Sequence, residues 1–210
     1  MINVQSLSKF KILSGSILKI IAAVAMIFDH AALLLGPEIP FLSFSFFTLF
    51  GKEISLYFIM KIIGRFAFPI YCFLAAEGLS HTRNRKKHLL GLLIFAVVSE
   101  IPFNLMLSGK LFYFGRQNIF FTLLLGGILA EIYDSEKEGF KKAILLLCVL
   151  AAAMFGKVDY GMAGVALILV LYIFKNQKSL QTVLSLPLLA SGIPAYLAFV
   201  PINMYNGERG

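Results

Sequence analysis

The chain has 210 residues, of which 59% are hydrophobic and only 14% are charged, and its mean hydropathy is +0.85. Soluble domains are less apolar and carry about a quarter charged residues, so this composition excludes an ordinary soluble protein and predicts a polytopic membrane protein. The net charge of +8 does not indicate nucleic-acid binding, because the basic residues cluster in short segments between apolar spans.

The first predicted elements are a polar lead-in and a long apolar helix. Residues 1–16 lack a small-residue cleavage site after a short apolar core, so they are predicted to be a cytoplasmic lead-in to a retained helix. Span 1, residues 17–35, has about the length that a bilayer core requires. The stretch FLSFSFFTLF (41–50) is too short to cross a bilayer and is predicted to be interfacial or re-entrant.

Six further apolar segments follow along the chain. They are predicted as spans at residues 54–78, 89–107, 118–133, 143–155, 161–174 and 180–200. The fifth and sixth spans are short for membrane helices, and two prolines and a glycine interrupt the seventh. The prediction is therefore an all-α fold, in which residues 1–210 form one integral membrane domain of about seven transmembrane helices.

Lysine and arginine are distributed unevenly between alternate loops. With the N-terminus inside, 12 of the 19 basic residues lie on the cytoplasmic side and 5 lie outside. The other two, Lys61 and Arg65, fall within span 2. Cytoplasmic loops carry the excess of these residues in membrane proteins. The sequence therefore predicts a cytoplasmic N-terminus and, for seven spans, an external C-terminus.

The sequence offers little support for metal, disulfide or nucleotide chemistry. Cys72 and Cys148 both lie inside apolar segments and in no metal-binding or redox spacing. The glycine-rich motifs of nucleotide hydrolysis and dinucleotide binding are absent from the sequence. No metal site is predicted.

Two ionisable residues, Asp29 and His30, lie past the middle of span 1. Ionisable groups within spans are functional by default, and an unperturbed imidazole titrates near neutrality. His30 is therefore a candidate general base for an amine or hydroxyl, with Asp29 beside it. The alternative is a salt-bridged structural Asp29 and a histidine directed to the interface. Successive helix residues point about 100° apart, so Asp29 is not expected to orient the imidazole.

Arg65 lies near the centre of span 2, four residues before Pro69. A proline removes the helical hydrogen bond to the carbonyl four residues earlier, so a kink is predicted beside Arg65. One interpretation is a polar cavity among spans 1 to 4 with Arg65 as a catalytic residue. The other is an ion pair of Arg65 with Asp29 or Glu100 that only holds helices together.

Further polar residues recur in spans 3 and 4. Glu100 and Asn104 are four residues apart and share a helix face, and Asn118 and Thr122 repeat that spacing. Each residue alone is typical of an interhelical hydrogen bond. Together with Asp29, His30, Arg65 and Asp159, however, they give an unusual density of polar groups at one depth. This density predicts a site in which Glu100 is catalytic and substrate is bound by Asn104, Asn118, Thr122 and Asp159.

A basic segment, HTRNRKKH (81–88), follows span 2 on the predicted cytoplasmic side. One interpretation is anchoring by the positive-inside rule. The other is a phosphate-binding site for a ligand such as coenzyme A. The residues predicted to bind the phosphates are His81, Arg83, Arg85 and Lys86. Glu77 and His81 are four apart, so they would pair if the helix continued this far.

Four ordered blocks and a closing segment resemble the TraX family. They are LKIIAAVAMIFDH (18–30), GRFAFPIYCFLAAEGLSHTRNRKKH (64–88), FAVVSEIPFNL (95–105), QNIFFTLLLG (117–126) and YNGERG (205–210). TraX proteins are bacterial inner-membrane proteins associated with conjugation. The namesake of the family acetylates the N-terminal residue of pilin, with acetyl-coenzyme A as the implied donor. The layout is also similar to acyltransferase-3-type membrane enzymes, in which His30 and the stretch 78–85 have matching positions.

The resemblance implies an acetyltransferase in the bacterial cytoplasmic membrane. It would move an acetyl group from cytoplasmic acetyl-coenzyme A to an acceptor such as a pilin-like protein N-terminus, without nucleic acid or metal. The nearest alternative is an O-acetyltransferase acting on a glycan or lipid. A non-enzymatic transporter or assembly factor, in which the same charges line a pathway, is the alternative of another class.

Overall fold

The computed structural model of the protein describes residues 11–49, 51–135, 139–189 and 192–210. The chain divides into two compact units. Unit 1 comprises Met1–Leu74 and Ser191–Gly210, and unit 2 comprises Ala75–Ala190. Most of the predicted lead-in, residues 1–10, lies outside the described residues.

Unit 1 is built on a long apolar helix and a second helix that runs antiparallel to it. Helix α1, Gly15–Leu35, begins after Ser14, whose hydroxyl accepts a hydrogen bond from the Ile17 backbone. A one-turn helix, α2, covers Pro40–Ser43. Helix α3, Leu56–Gly64, packs against α1. The Ser14 hydroxyl, which lies before the first turn of α1, satisfies a backbone donor that the helix itself leaves unpaired.

The stretch predicted to be interfacial leads into a β-hairpin. Strand β1, Ser45–Leu49, pairs antiparallel with strand β2, Lys52–Ser55. Gly51 between them has φ +75, which glycine adopts without steric cost. The all-α prediction is confirmed for most of the described chain and is wrong at this hairpin. A sequence of alternating serine and phenylalanine is typical of a strand, but the length argument considered only membrane crossing.

The second predicted span is interrupted where the sequence predicted a kink. Helix α3 ends at Gly64, and helix α4, Ala67–His81, begins after a two-residue turn. Pro69 has no N–H to donate to the carbonyl of Arg65, so the backbone cannot continue as one regular helix there. The predicted disturbance beside Arg65 is confirmed.

Unit 2 is a bundle arranged around one central helix. Its helices are α5, Arg85–Ser108; α6, Ile119–Ser135; α7, Phe140–Phe155; α8, Gly161–Ile173; and α9, Lys178–Ser185. The central helix, α6, packs against α5, α7 and α8. A Cβ atom at Gly126 would overlap the side chain of Ile168. The glycine therefore lets α6 and α8 approach closely.

The last predicted span, residues 180–200, is not one helix in the described residues. A 3₁₀ turn at Leu186–Leu188 follows α9, and two short helices, α10 and α11, come later in unit 1. They cover Ile193–Tyr196 and Phe199–Asn203. Pro187, Pro194 and the positive φ of Gly192 all oppose a regular helix. The prediction of a single span here is wrong.

Three helices of the described chain are long and apolar enough to cross a membrane. They are Gly15–Leu35, Leu56–His81 (α3 and α4 together) and Arg85–Ser108. Helices α6, α7 and α8 have 17, 16 and 13 residues, below the roughly 20 that a bilayer core requires. The prediction of a helical membrane protein is therefore supported, and the number of seven spans is not confirmed.

The closing segment, residues 204–210, lies against the start of α1. Gly15 and Ser16 donate their backbone N–H groups to the carbonyls of Glu208 (2.8 Å) and Arg209 (2.9 Å). These are donors that a helix cannot satisfy within its own first turn. The two segments therefore lie at the same end of α1. This contact favours an even number of membrane crossings between them, whereas the sequence predicts chain ends on opposite sides. The side on which the C-terminus lies stays a prediction.

Fusions of a reporter that is active only in the cytoplasm test this arrangement. Activity is expected after Lys87, because the basic segment is predicted to be cytoplasmic. Activity is also expected after Gly210, because the closing segment contacts the start of α1, which is predicted to be cytoplasmic too. No activity is expected after Lys110. Reporter activity in intact cells provides the measurement. An inactive fusion after Gly210 with an active one after Lys87 would contradict the even number of crossings.

Candidate functional site

Of the eight polar residues that the sequence predicts at one depth, five lie at one end of unit 2, and the other three belong to unit 1. The group of five residues, the Glu100 cluster, comprises Glu100, Asn104, Asn118, Thr122 and Asp159. Asn118 directly precedes α6, and its side-chain amide donates to Glu100 Oε2 at 2.5 Å and to the Ala96 carbonyl at 2.8 Å. The Asn118 backbone N–H donates to the same carboxylate oxygen at 3.2 Å. A negative charge at the N-terminus of α6 is also favoured by the helix dipole.

The loop before α8 is fastened to the start of α6. Thr122 Oγ1 donates to the Asp159 backbone carbonyl, and Gln117 N donates to the Lys157 carbonyl at 3.0 Å. The Asp159 carboxylate lies 2.9 Å from Arg116 Nη2. Lys157 and Tyr160 have positive φ of 50 and 61, a left-handed conformation that is unfavourable for side chains other than glycine. The backbone on both sides of Asp159 is therefore held in a strained form.

Two acceptor oxygens of the Glu100 cluster are buried and have no hydrogen-bond donor among the described residues. They are Glu100 Oε1 and Asn104 Oδ1. Asn104 is only 3% exposed, and its amide nitrogen donates to the Leu111 carbonyl at 3.2 Å. A buried polar atom without a partner costs about 1–3 kcal/mol. The cluster therefore holds acceptor capacity that the described side chains do not use.

An apolar groove of about 450 Å³ lies in the same part of unit 2, between α6 and α7. The groove is lined mainly by apolar side chains, among them Phe114, Phe121, Phe155 and Val158. Gln117 is a polar residue of the same lining. Gln117 is the neighbour of Asn118, so the groove begins next to the Glu100 cluster. The volume falls within the range of small-molecule and side-chain pockets.

In unit 1, Asp29 forms an ion pair between α1 and α3. Lys61 Nζ lies 2.7 Å from Asp29 Oδ1, with both side chains about a quarter exposed. A Cβ atom at Gly64 would lie 2.6 Å from the same carboxylate oxygen, so the glycine makes room for Asp29. This supports the structural interpretation of Asp29. Lys61, one turn before Arg65, is a partner that the sequence analysis did not name, and the predicted pairing of Arg65 with Asp29 or Glu100 stays a prediction.

The predicted catalytic residues divide between the two units. Asp29, His30 and Arg65 belong to unit 1, and Glu100 belongs to unit 2. His30 is half-buried on α1, next to the ion-paired Asp29. Arg65 caps the C-terminus of α3 at the break in the second span. Their catalytic roles stay predictions.

A second group of charged residues joins three helices at the opposite end of unit 2. This Arg85 cluster comprises Arg85, Glu131, Asp134, Tyr172 and Lys175. Arg85 Nη1 lies 2.7 Å from Asp134 Oδ2 and 3.0 Å from Glu131 Oε2, and Nη2 donates to the Tyr172 hydroxyl at 2.8 Å. The Lys175 ammonium lies 4.9 Å from the centre of the Tyr172 ring. The start of α5 therefore meets the ends of α6 and α8, as expected when successive helices of a bundle run in opposite directions.

The rest of the basic segment is arranged differently from Arg85. Helix α4 continues to His81, which pairs with Glu77 at 2.9 Å, so the predicted pairing is confirmed. Arg83 and Lys86 are exposed. Of the residues predicted to bind phosphates, Arg85 is thus already bonded to carboxylates, whereas Arg83 and Lys86 face outward. Phosphate binding by the segment stays a prediction.

His88 is a residue whose environment the sequence analysis missed. It lies in the first turn of α5 rather than in a loop, and its Nε2 atom is buried without a partner among the described residues. A Cβ atom at Gly78 would lie 3.2 Å from the imidazole, so the ring packs on that glycine. Asn84 is the signal that identifies this helix start. Its side chain accepts from the Lys87 backbone at 2.9 Å, as an N-cap does.

The partners of Arg85 were also missed. Glu131 and Asp134 are three residues apart at the end of the fourth predicted span, a spacing that puts two carboxylates on one helix face. This spacing signals a cation-binding surface, but it does not identify which cation. Arg116, the partner of Asp159, was counted only as an external loop charge.

These features define a class: a helical protein whose described residues include three helices able to cross a membrane, with polar clusters at the two ends of unit 2. The family model for the TraX protein matches residues 14–206. The chain therefore belongs to the TraX family, as its sequence blocks predicted.

Two curated relatives show how far the similarity extends. The chain is 32% identical over 173 residues to the probable fimbrial assembly protein FimC, serogroup H1, of Dichelobacter nodosus. This match covers 79% of the chain and 64% of the relative. It is 24% identical over 167 residues to an uncharacterized protein of Rickettsia prowazekii (strain Madrid E), covering 78% of the chain and 56% of the relative. The chain thus spans less than two thirds of either relative.

No solved structure matches the chain. The matches identify TraX and do not extend to acyltransferase-3-type enzymes, so that further resemblance stays a prediction.

Proposed function

We propose that this protein is a membrane-embedded acetyltransferase that transfers an acetyl group from cytoplasmic acetyl-coenzyme A to the N-terminal amine of a pilin-like protein. Membership of the TraX family over residues 14–206 is the observation that supports this most strongly. The family is linked to pilin, and the relative FimC is named for fimbrial assembly. The protein resides in the bacterial cytoplasmic membrane with its N-terminus inside.

The reaction requires three kinds of group. A positive surface binds the donor phosphates, a base takes the proton of the acceptor, and hydrogen-bond donors stabilise the thioester oxygen in the transition state. Arg83 and Lys86 are exposed and suit the first role. His30, half-buried on α1, suits the second.

The chemical step exchanges one bond to the acetyl carbon for another. The acceptor nitrogen attacks that carbon as the base removes a proton from the nitrogen. The carbon–sulfur bond then breaks, and coenzyme A leaves as a thiol after taking up a proton. The products are the acetylated amine and free coenzyme A.

A non-enzymatic assembly factor is the second candidate, and the name of the relative FimC favours it. In that case, the polar clusters would hold helices or a partner in place without reacting. A glycan or lipid O-acetyltransferase remains the alternative within the enzyme class.

Mass spectrometry of envelope proteins and glycans from a deletion strain tests the proposal. The acetyl group on a pilin-like N-terminus is expected to disappear in the deletion strain and to return when the gene is restored. Purified protein in detergent is expected to release coenzyme A only when that acceptor is present. Lost fimbriae with unchanged acetylation would instead identify the assembly factor, and a lost acetyl group on a glycan would identify the O-acetyltransferase.

A further inference from the structure

The apolar groove between α6 and α7 is a feature that the proposed function does not use. Its volume is about 450 Å³. The α6 residues of its lining, among them Phe121 and Leu125, are half-buried, whereas Phe114 and Phe155 are 79% and 77% exposed. Exposed phenylalanines around an apolar groove are unfavourable in water, so the groove is suited to an apolar occupant.

The surface beside the groove is apolar as well. From residue 143 to residue 155, α7 reads AILLLCVLAAAMF and carries no charged or hydrogen-bonding side chain other than a cysteine. Leu147 and Met154 on this helix are 64% and 48% exposed. Large exposed apolar surfaces mark contacts with a membrane or with another protein. The groove is therefore accessible from a surface that matches the hydrocarbon interior of a bilayer.

One end of the groove is closed by a polar loop. Gln117, which belongs to the lining, donates its backbone N–H to the Lys157 carbonyl at 3.0 Å and accepts from the Asp159 N–H at 3.1 Å. Lys157 lies between Gly156 and Val158, and both of these residues also line the groove. The backbone of Lys157 is therefore fixed at this end of the groove.

The same end carries an exposed positive charge. The two carboxylates of this end are already engaged: Asp159 lies 2.9 Å from Arg116 Nη2, and Glu100 accepts from Asn118. The Lys157 side chain is exposed and forms no ion pair with any residue that the structure describes. A long lysine side chain can lie along apolar surface while its ammonium group stays in the polar region.

These features define the chemistry of the occupant. It has an apolar chain for the groove and a negative group for the cationic end. A membrane phospholipid has both parts and is present where the groove opens. Lysine and arginine near a membrane surface attract anionic lipids, and both bind phosphate oxygens by charge-assisted hydrogen bonds. An apolar protein segment would fill the groove but would leave the charge of Lys157 unexplained.

We propose that this groove binds one acyl chain of an anionic phospholipid, such as phosphatidylglycerol, whose phosphate group is bound by Lys157. Arg116 flanks the same headgroup, with its charge partly offset by Asp159. The lipid comes from the leaflet on the predicted outer side, where both basic residues are placed by the sequence. The site does not depend on the acetyltransferase reaction, because none of its residues has a role in that reaction.

Tryptophan fluorescence in reconstituted bilayers tests the site. The chain contains no tryptophan, so Phe155→Trp places a single reporter in the groove and Leu147→Trp places one on the exposed face of α7 outside its lining. The full chain is reconstituted in phosphatidylcholine that contains an equal fraction of either brominated phosphatidylglycerol or brominated phosphatidylcholine. Bromine atoms on the acyl chains quench tryptophan at short range, so quenching reports which lipid is next to the reporter.

The groove reporter is expected to select the anionic lipid. Quenching of Phe155→Trp is expected to give an affinity about fivefold higher for phosphatidylglycerol than for phosphatidylcholine, the contribution of one basic residue near an anionic lipid. Leu147→Trp is expected to be quenched equally by the two lipids. Equal quenching of both reporters would show that the groove holds only bulk lipid and would overturn the site.

Two variants of the Phe155→Trp protein and one control identify the residues. Lys157→Gln is expected to abolish the preference for phosphatidylglycerol, and Ala152→Leu, which narrows the lining, is expected to reduce quenching by both lipids. Lys52→Gln, an exposed lysine of unit 1, is the matched control and is expected to keep the preference. An unchanged emission spectrum of Leu147→Trp in each variant background shows that the variant is folded.

Two further outcomes would overturn the site. A full preference for phosphatidylglycerol in Lys157→Gln would show that this residue does not bind the headgroup. Weak quenching of Phe155→Trp by both lipids, with strong quenching of Leu147→Trp, would show that lipid is excluded from the groove and would make an apolar protein segment its occupant.

Discussion

Replacing Arg85 by alanine is expected to lower the free energy of unfolding by about 1.5–3 kcal/mol, the value of a hydrogen bond to a charged group. The guanidinium lies 2.7 Å from Asp134 and 3.0 Å from Glu131, and these three side chains are 29–37% exposed. This exposure weakens the ion pairs and keeps the expected loss below that of a fully buried pair. Chemical denaturation of purified protein in detergent measures the change.

The matched control for this substitution is Arg83→Ala. Arg83 is exposed two residues earlier in the same basic segment, and surface substitutions usually change stability by less than about 0.5 kcal/mol. Adding Asp134→Asn to Arg85→Ala is expected to restore part of the stability, since it removes one of two carboxylates left without their cation. Equal stability of the Arg83→Ala and Arg85→Ala proteins would contradict a structural role for the Arg85 cluster.

The same pair of variants separates anchoring from ligand binding. With acetyl-coenzyme A as the probe, Arg83→Ala is expected to weaken donor binding while Arg85→Ala mainly weakens the fold. Loss of donor binding in a stable Arg85→Ala protein would show that Arg85 exchanges its carboxylates for phosphates, as the sequence interpretation of the segment suggests.

The parts of the fold that could be predicted depend on local patterns. The first span was predicted at residues 17–35, and the helix is Gly15–Leu35. A run of apolar residues of bilayer length specifies a helix without information from elsewhere in the chain. The break at Arg65 was predictable for the same reason, because the missing N–H of Pro69 acts on a carbonyl only four residues away.

The parts that could not be predicted depend on contacts between distant residues. The segment 204–210 supplies carbonyls to the start of α1 almost the whole chain away, so no spacing in the sequence reports it. From this contact we expect both chain ends on one side of the membrane, whereas the sequence predicts opposite sides. Arg85 similarly donates a hydrogen bond to Tyr172, which lies 87 residues later in the chain. In the sequence, its position in a basic segment after a span is that of an ordinary positive-inside anchor.

The candidate site contains both features that local patterns predict and contacts that they do not. The residues of the Glu100 cluster were predicted together with Asp29, His30 and Arg65 from the density of polar groups at one depth. The structure places the five residues of the cluster at one end of unit 2 and the other three in unit 1. The individual bonds of the cluster were not predictable, because Asn118 could have faced any neighbouring helix. The ion pair of Asp29 with Lys61 was not predicted, although Lys61 and Arg65 are four residues apart and lie on the same side of the span.

Replacing His30 by glutamine is expected to slow acetyl transfer about 10²–10⁴-fold, the contribution of a positioned general base. Glutamine keeps a similar size and can hydrogen-bond, so folding and donor binding are expected to persist. Asp29 is engaged by Lys61 at 2.7 Å, so Asp29→Asn is expected to affect mainly stability, by breaking the contact between α1 and α3. Coenzyme A release by both purified variants, with the acceptor identified by mass spectrometry, provides the rates.

The other histidines of the chain serve as matched controls for the His30 prediction. His81→Gln changes a side chain that is 68% exposed and paired with Glu77. Near-normal turnover is expected at saturating acetyl-coenzyme A, because the predicted contact of His81 with the donor phosphates would affect the donor affinity and not the base. His88→Gln tests the second half-buried imidazole, whose Nε2 atom lacks a partner among the described residues. Normal turnover in His30→Gln with a large loss in His88→Gln would move the base to the end of unit 2 that carries the basic segment. Normal turnover in all three histidine variants would eliminate histidine as the base and would make Glu100 or Asp159 the candidate that takes the proton.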